Sequence, residues 1–189
     1  MVPPEHDRSP ARSEVVAVLR MHGLTGVAIS QLWGLSRDMR PRTRRRGLEY
    51  AAMVNADTGT TVGGVISGSE GAVDLRTRLN LLVTGRRYAQ LHTYPGSASF
   101  SEWDVATLLA WKQIHAMVVV GVDGTWYALS RLGELIASDW EAADAFLIEL
   151  DRLERERPDL SLRERTHHVW LRIADSLGLR YDRVQRSAP

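Results

Sequence analysis

The stretch from Arg87 to Leu109 constrains this chain more than any other, because its residue periodicity changes sharply across one short break. Residues 87–93 read as a strand, and a period of two sends Tyr88, Gln90, His92 and Tyr94 to one face. Pro95-Gly96 ends the strand. A helical pattern begins at Ser101, with Val105, Leu108 and Leu109 on its apolar stripe. The end of the strand and the start of the helix therefore share one mouth, where His92, Tyr94, Ser101 and Asp104 can meet.

Around this segment the pattern predicts strands over 48–55 and 61–66, joined by Ala56-Asp57-Thr58-Gly59. A Gly/Ser loop over 68–71 leads to a short helix over 75–83. After the helix over 101–113 come strands over 116–122 and 125–129, joined by Asp123-Gly124, a type I′ hairpin signal. That order predicts an α/β fold in which a mixed β-sheet is flanked by helices.

Both flanks read as helical. Ser13 caps a short helix carrying Val15, Val16, Val18 and Leu19, which stops at Gly23, and a second element covers 26–35. Arg37, Arg40, Arg42, Arg44, Arg45 and Arg46 then cluster around Pro41, as in an exposed linker. At the other end, 132–156 carries Leu135, Trp140, Ala143, Phe146, Leu147 and Leu150 at helical intervals, and a further helix over 162–177 has Gly178 as its C-cap. His167 and His168 are adjacent on it and diverge by about 100°, so they are poor joint metal ligands. Residues 3–10 read as disordered. The chain thus divides into an N-terminal helical extension with an Arg-rich linker (1–46), a core (47–131) and a C-terminal helical extension (132–189).

At 189 residues and 44% hydrophobic content the chain suits one domain with extensions. Cysteine is absent, which excludes disulfides, thiolate zinc clusters and cysteine nucleophiles and suits an intracellular compartment. Met1-Val2-Pro3-Pro4-Glu5-His6 lacks a signal pattern, and no apolar run approaches the roughly 20 residues of a membrane helix. A cytoplasmic protein with no membrane partner is expected. A net charge of +1, with Lys112 the one lysine, argues against a generally basic nucleic-acid binder. The Arg cluster could contact phosphates, and Ser30 to Ser36 loosely suggests a helix-turn-helix, but Pro41 would then fall inside the recognition helix. A nucleic-acid-binding regulator is the weakest reading.

The spacing His92-Thr93-Tyr94-Pro95, a short loop, then Ser101-Glu102-Trp103-Asp104, preceded by Glu49 at the head of an apolar run, resembles the MPN/JAB (JAMM) metalloprotease superfamily. That family's motif is a distant Glu followed by H-x-H-P and S-x-x-D. The compact loop is similar to bacterial and phage-encoded JAB-like domains, and the apolar strand from Met117 and the hairpin after it fit that form too. Tyr94 stands where the second His would be. The match spans Glu49 to about Ser130. The resemblance implies an MPN/JAB-like fold with cytidine-deaminase-like layers, and a zinc metallopeptidase or isopeptidase acting on a protein or peptide. It also implies a set of roles: His92 and Asp104 as zinc ligands with Tyr94 at the altered position, Glu49 as general base, Ser101 as oxyanion donor. Such sites keep one zinc position open for water, whose pKa the metal lowers.

Two other readings of these residues stand beside that one. A phenol has a pKa near 10, so a His, Asp and Tyr set would hold zinc weakly or not at all, leaving a catalytically inactive interaction module. His115, on a neighbouring strand, is a further candidate ligand. Ser101 and Asp104 also fit a plain capping box, with no role beyond starting the helix.

Overall fold

The computed structural model describes residues 9–70, 72–133 and 138–186, without the side chain of Asp139. Leu135 and most of the segment expected to be disordered lie outside the described residues. Ser9 and Pro10 lie within them and are ordered against the fold: Pro10 is buried, and Ser9 Oγ accepts from Arg40 at 2.6 Å.

Helices α1 (Arg12–Met21) and α2 (Gly26–Arg46) come first. The cap of the first is Ala11, two residues ahead of the expected Ser13, with Glu14 accepting from the Ala11 amide at 2.8 Å. The Arg-rich segment is a continuation of α2 rather than a linker. Leu32, Ser36, Met39 and Thr43 recur at helical spacing on its buried face, so packing continues through the Arg cluster, while Arg37, Arg42, Arg45, Arg46 and Pro41 ride outside and Arg44 reaches the Val122 carbonyl. Proline costs this helix one backbone hydrogen bond, which the buried face offsets. The helix has no break where a separate recognition helix would begin, and its buried side packs on the sheet.

Strands β1 (Tyr50–Asn55) and β2 (Thr61–Ser67) form a hairpin, followed by a single turn of helix, α3 (Arg76–Leu79), shorter than the sequence pattern suggests. Strand β3 (Tyr88–Tyr94), helix α4 (Glu102–Ala110) and strand β4 (Ile114–Gly121) make a crossover unit whose two strands are parallel. Strand β5 (Trp126–Arg131) returns antiparallel. The β4–β5 turn is not type I′. Gly124 N donates to Gly121 O at 2.9 Å and Gly121 N to Thr125 O at 2.9 Å, with φ 92° at Gly124 and no positive φ at Asp123. This is a three-residue loop, a type I turn closed by a left-handed glycine.

Helices α5 (Asp139–Glu156) and α6 (Leu162–Ile173) and a 3₁₀ turn (Asp175–Leu177) lead to a strand that the sequence pattern did not reveal, β6 (Leu179–Val184). It pairs antiparallel with β5, so the C-terminal segment is not purely helical. The alternation in Leu179-Arg180-Tyr181-Asp182-Arg183 is masked by charge, which is met partly within the strand, Arg180 to Asp182 at 3.0 Å, and partly by other elements: Arg183 meets Glu164 at 2.9 Å and Asp182 meets His22 at 3.0 Å. Helix α6 ends four residues short of the expected bound, with Ala174 as its C-cap, and Gly178, at φ 72°, closes the 3₁₀ turn that follows.

The sheet order is β2-β1-β3-β4-β5-β6, mixed, with helices on both faces. One core packs α1 and α2 on Ala52, Val54, Leu91, Val118 and Ala128. The other packs α4, α5 and α6 on Ala51, Met53, Met117, Val119 and Leu129, where Phe146 and Trp170 stack at 5.0 Å. The apolar stripe of α5 is Ala142, Phe146 and Leu153; Trp140 and Leu147, which the helical spacing also marks as apolar, are 72% and 47% exposed. No helix among the described residues is long and apolar enough to cross a membrane.

Candidate active site

Register and parity put the site on the α4 side of the sheet. Tyr50 pairs with Thr93 and Ala51 with His92, so Glu49, just ahead of β1, shares its face with Ala51 and Met53 and with Gln90, His92 and Tyr94 of the neighbouring strand. The Glu49 backbone is held by its amide donating to Ser69 O and its carbonyl accepting from Gly68 N, both at 2.8 Å. The loop between β3 and α4 is held from behind. Ser97 is the one non-glycine residue with positive φ among the described residues, at 53°; its carbonyl accepts from Tyr127 Oη at 3.1 Å, while Phe100 O accepts from Trp170 Nε1 at 3.0 Å.

These elements bring Glu49, Gln90, Tyr94, Ser101 and Asp104 to the wall of one 270 Å³ cavity, with His92 buried next to Asp104. All five residues singled out from the sequence therefore converge. His115 does not: its Nε2 meets the His22 carbonyl at 3.0 Å, because a register irregularity at the start of the β3–β4 pairing turns it toward α1.

Asp104 serves two purposes at once. Its Oδ2 accepts from the Ser101 amide at 2.9 Å and from Ser101 Oγ at 2.8 Å, completing the capping box. Its Oδ1 faces His92 Nε2 at 3.7 Å. The capping geometry and the site geometry are compatible because they use different oxygens.

Three side-chain atoms on this face, Glu49 Oε1, Gln90 Oε1 and His92 Nε2, are buried without a hydrogen-bond partner. Leaving a buried polar atom unpaired costs about 1–3 kcal/mol, so three together mark a place that the fold alone does not satisfy. Burial, with Asp104 adding to it, raises the Glu49 carboxyl from 4.5 to about 8, so it is largely protonated at neutral pH. Burial lowers the His92 pKa against the pull of Asp104, keeping the ring neutral. Gln90 Nε2 lies 3.4 Å from His92 Nδ1. With the Gln90 amide turned over, its orphaned oxygen accepts from Nδ1–H and leaves the Nε2 lone pair directed at the Asp104 side.

Tyr94 is half-buried, 6.0 Å ring to ring from His92. Burial first, then Glu49, Asp104 and Glu102, push its phenol up to about 12, so it stays protonated. Among the described residues no group of three or more His, Cys, Asp or Glu is placed to hold a metal. Two donor atoms, His92 Nε2 and Asp104 Oδ1, face each other here at 3.7 Å, with a neutral phenol beside them.

The sequence pattern gave no sign of Gln90 as a participant, or of Trp103 and Thr107 in the cavity wall; polar residues on buried strand faces and tryptophans at helix starts are too common to signal it. Nor did it suggest the cluster in which Ser130 Oγ meets His22 Nδ1 at 2.7 Å and His22 Nε2 meets Asp182 Oδ2 at 3.0 Å. That order of groups suits a nucleophile, but Ser130 is 2% exposed beneath α1 and Arg180 takes the same Asp182 oxygen at 3.0 Å. Burial lowers His22 to about 4 against the pull of Asp182, so the cluster is a neutral clamp of α1 on β5 and β6. No model of a known family, no curated protein and no solved structure matches the chain.

Proposed function

We propose that the chain is an MPN/JAB-like domain whose cavity receives an amide bond of a protein or peptide and, with zinc bound, hydrolyses it. The observation that carries this reading is the convergence of Glu49, His92 and Asp104, with Glu49 Oε1 and His92 Nε2 both buried and unpartnered. A mixed α/β sheet with helices on both faces is compatible with this reading at the level of fold class.

His92 and Asp104 would hold the ion, and zinc in such a position supplies a water of lowered pKa and polarises a carbonyl. Glu49 would take and return a proton in its ionised form, which a carboxyl raised to about 8 reaches fully only in alkaline solution, so hydrolysis would rise with pH through that value. Ser101 Oγ reaches the same space, and turning away from Asp104 lets it donate to a developing oxyanion. The Tyr94 phenol, protonated throughout, donates rather than ligates.

Tyr94 also favours a second reading, an amide-binding module without turnover, because the pocket has two strong donors where a catalytic zinc generally has three. Calorimetric zinc titration separates the two. The wild type is expected to bind zinc weakly, and Tyr94→His to bind it about tenfold or more tighter, since neutral imidazole coordinates without losing a proton. Zinc-dependent hydrolysis in a peptide and isopeptide panel, lost in Glu49→Gln, supports the enzyme. If Tyr94→His gains zinc and neither protein hydrolyses anything, the module reading holds; tight, equal binding by both would show that the phenol ligates after all.

A further inference from the structure

Helices α4 and α5 leave two tryptophans in water, Trp103 at 70% and Trp140 at 72% exposure. Between them lies a groove of 390 Å³. Its lining includes the small residues Ala106, Ala110 and Ala143, which leave room beside the indoles for an occupant's side chains. Its charged lining residues are both carboxylates, Glu102 and Asp144. Trp103 and Thr107 line both this groove and the candidate-site cavity, so the two spaces adjoin across these side chains.

We propose that this groove docks an extended segment bearing alternating apolar and basic side chains, from the same protein or peptide whose amide enters the neighbouring cavity. Apolar side chains and the aliphatic stems of lysine or arginine cover the indoles, while the cationic heads reach Glu102 and Asp144 and gain from the tryptophan faces. An acidic segment or a nucleic acid would be repelled by the same carboxylates. The inference rests on the proposed function for where the segment leads, but docking is measurable without catalysis.

The test uses the full chain in chelator, where hydrolysis is silent, titrated with a short amidated peptide of alternating lysine and leucine. Two control peptides replace lysine by glutamate or leucine by serine. Tryptophan emission should change saturably with the first peptide alone. Trp103→Ala and Trp140→Ala together should weaken binding by about a hundredfold. Glu102→Gln with Asp144→Asn should weaken it by about tenfold and remove most of its salt dependence. Equal binding of the glutamate peptide, or binding unchanged by both pairs of substitutions, would overturn the proposal. So would self-association in sedimentation that the tryptophan substitutions abolish, because the groove would then belong to a second copy. Hydrolysis without docking would sink the groove and leave the amide hydrolase standing; docking without hydrolysis would do the reverse.

Discussion

Glu49 shows how one residue can be ordinary in sequence and unusual in place. A glutamate ahead of an apolar strand is unremarkable until parity and the neighbouring β3 bury it at 3% exposure beside Asp104. Its native pKa of about 8 lies above the usual 4.5, so the folded protein holds a proton that the unfolded chain has released. The stability this contributes is complete below about 4.5 and is lost as pH rises through about 8. In chelator, Glu49→Gln should therefore gain on the wild type in melting temperature as pH is raised across that window, by about 2–4 °C for each kcal/mol of linkage. A gap independent of pH would mean that the carboxyl is solvated. His92, Tyr94, Ser101 and Asp104 were legible as neighbours because they sit on one strand end and one helix start. Gln90 was not legible as a participant, since its role depends on which atoms are left unpaired around it.

At the scale of elements, the ends are governed by local chemistry and the lengths by packing. Helix α2 ends where Gly47 takes φ 67° and its amide donates to Thr43 O at 2.8 Å. A Cβ there would meet nothing within 4 Å, so Gly47→Ala should cost only the left-handed conformation, about 1–2 kcal/mol. Gly59, at φ 74°, is different: a Cβ would stand 2.9 Å from the Val27 carbonyl group. Gly59→Ala should therefore be the more destabilising of the two in urea unfolding, because a backbone clash adds to the same conformational cost. The reverse order would mean that the β1–β2 turn moves away from α2 without penalty. Pro41 illustrates the other half: local propensity would stop the helix there, and the buried Met39 and Thr43 carry it on.

At the scale of the molecule, the C-terminal third secures the site without entering it. Arg163 of α6 reaches Asp123 in the β4–β5 turn at 2.5 Å and Tyr127 Oη at 3.2 Å, and Tyr127 in turn holds the Ser97 carbonyl of the loop ahead of α4. The Asp123 side chain is fully buried and that of Arg163 is 11% exposed. Arg163→Met should cost about 3–5 kcal/mol, because it strands a buried carboxylate, and adding Asp123→Asn should recover part of the loss. Thermal unfolding of the two variants checks this; a double variant no more stable than the single one would mean that the arginine acts through packing alone.

By itself the sequence determined the strand-turn-helix unit, the β1–β2 and β4–β5 hairpins, the face shared by His92 and Tyr94, the helix cap at Ser101 and the left-handed glycine at 178. Each of these follows from periods of two or 3.6 and from turn chemistry, interactions that span only a few residues. Tertiary structure alone decided that the Arg cluster is helical, that 179–184 is a strand, that Trp140 faces water and that Glu49 shares a cavity with Asp104. These depend on which surface meets which across the fold: β6 forms because β5 offers it a paired edge, and α5 buries Ala142, Phe146 and Leu153 against its neighbours while Trp140 and Leu147 stay exposed.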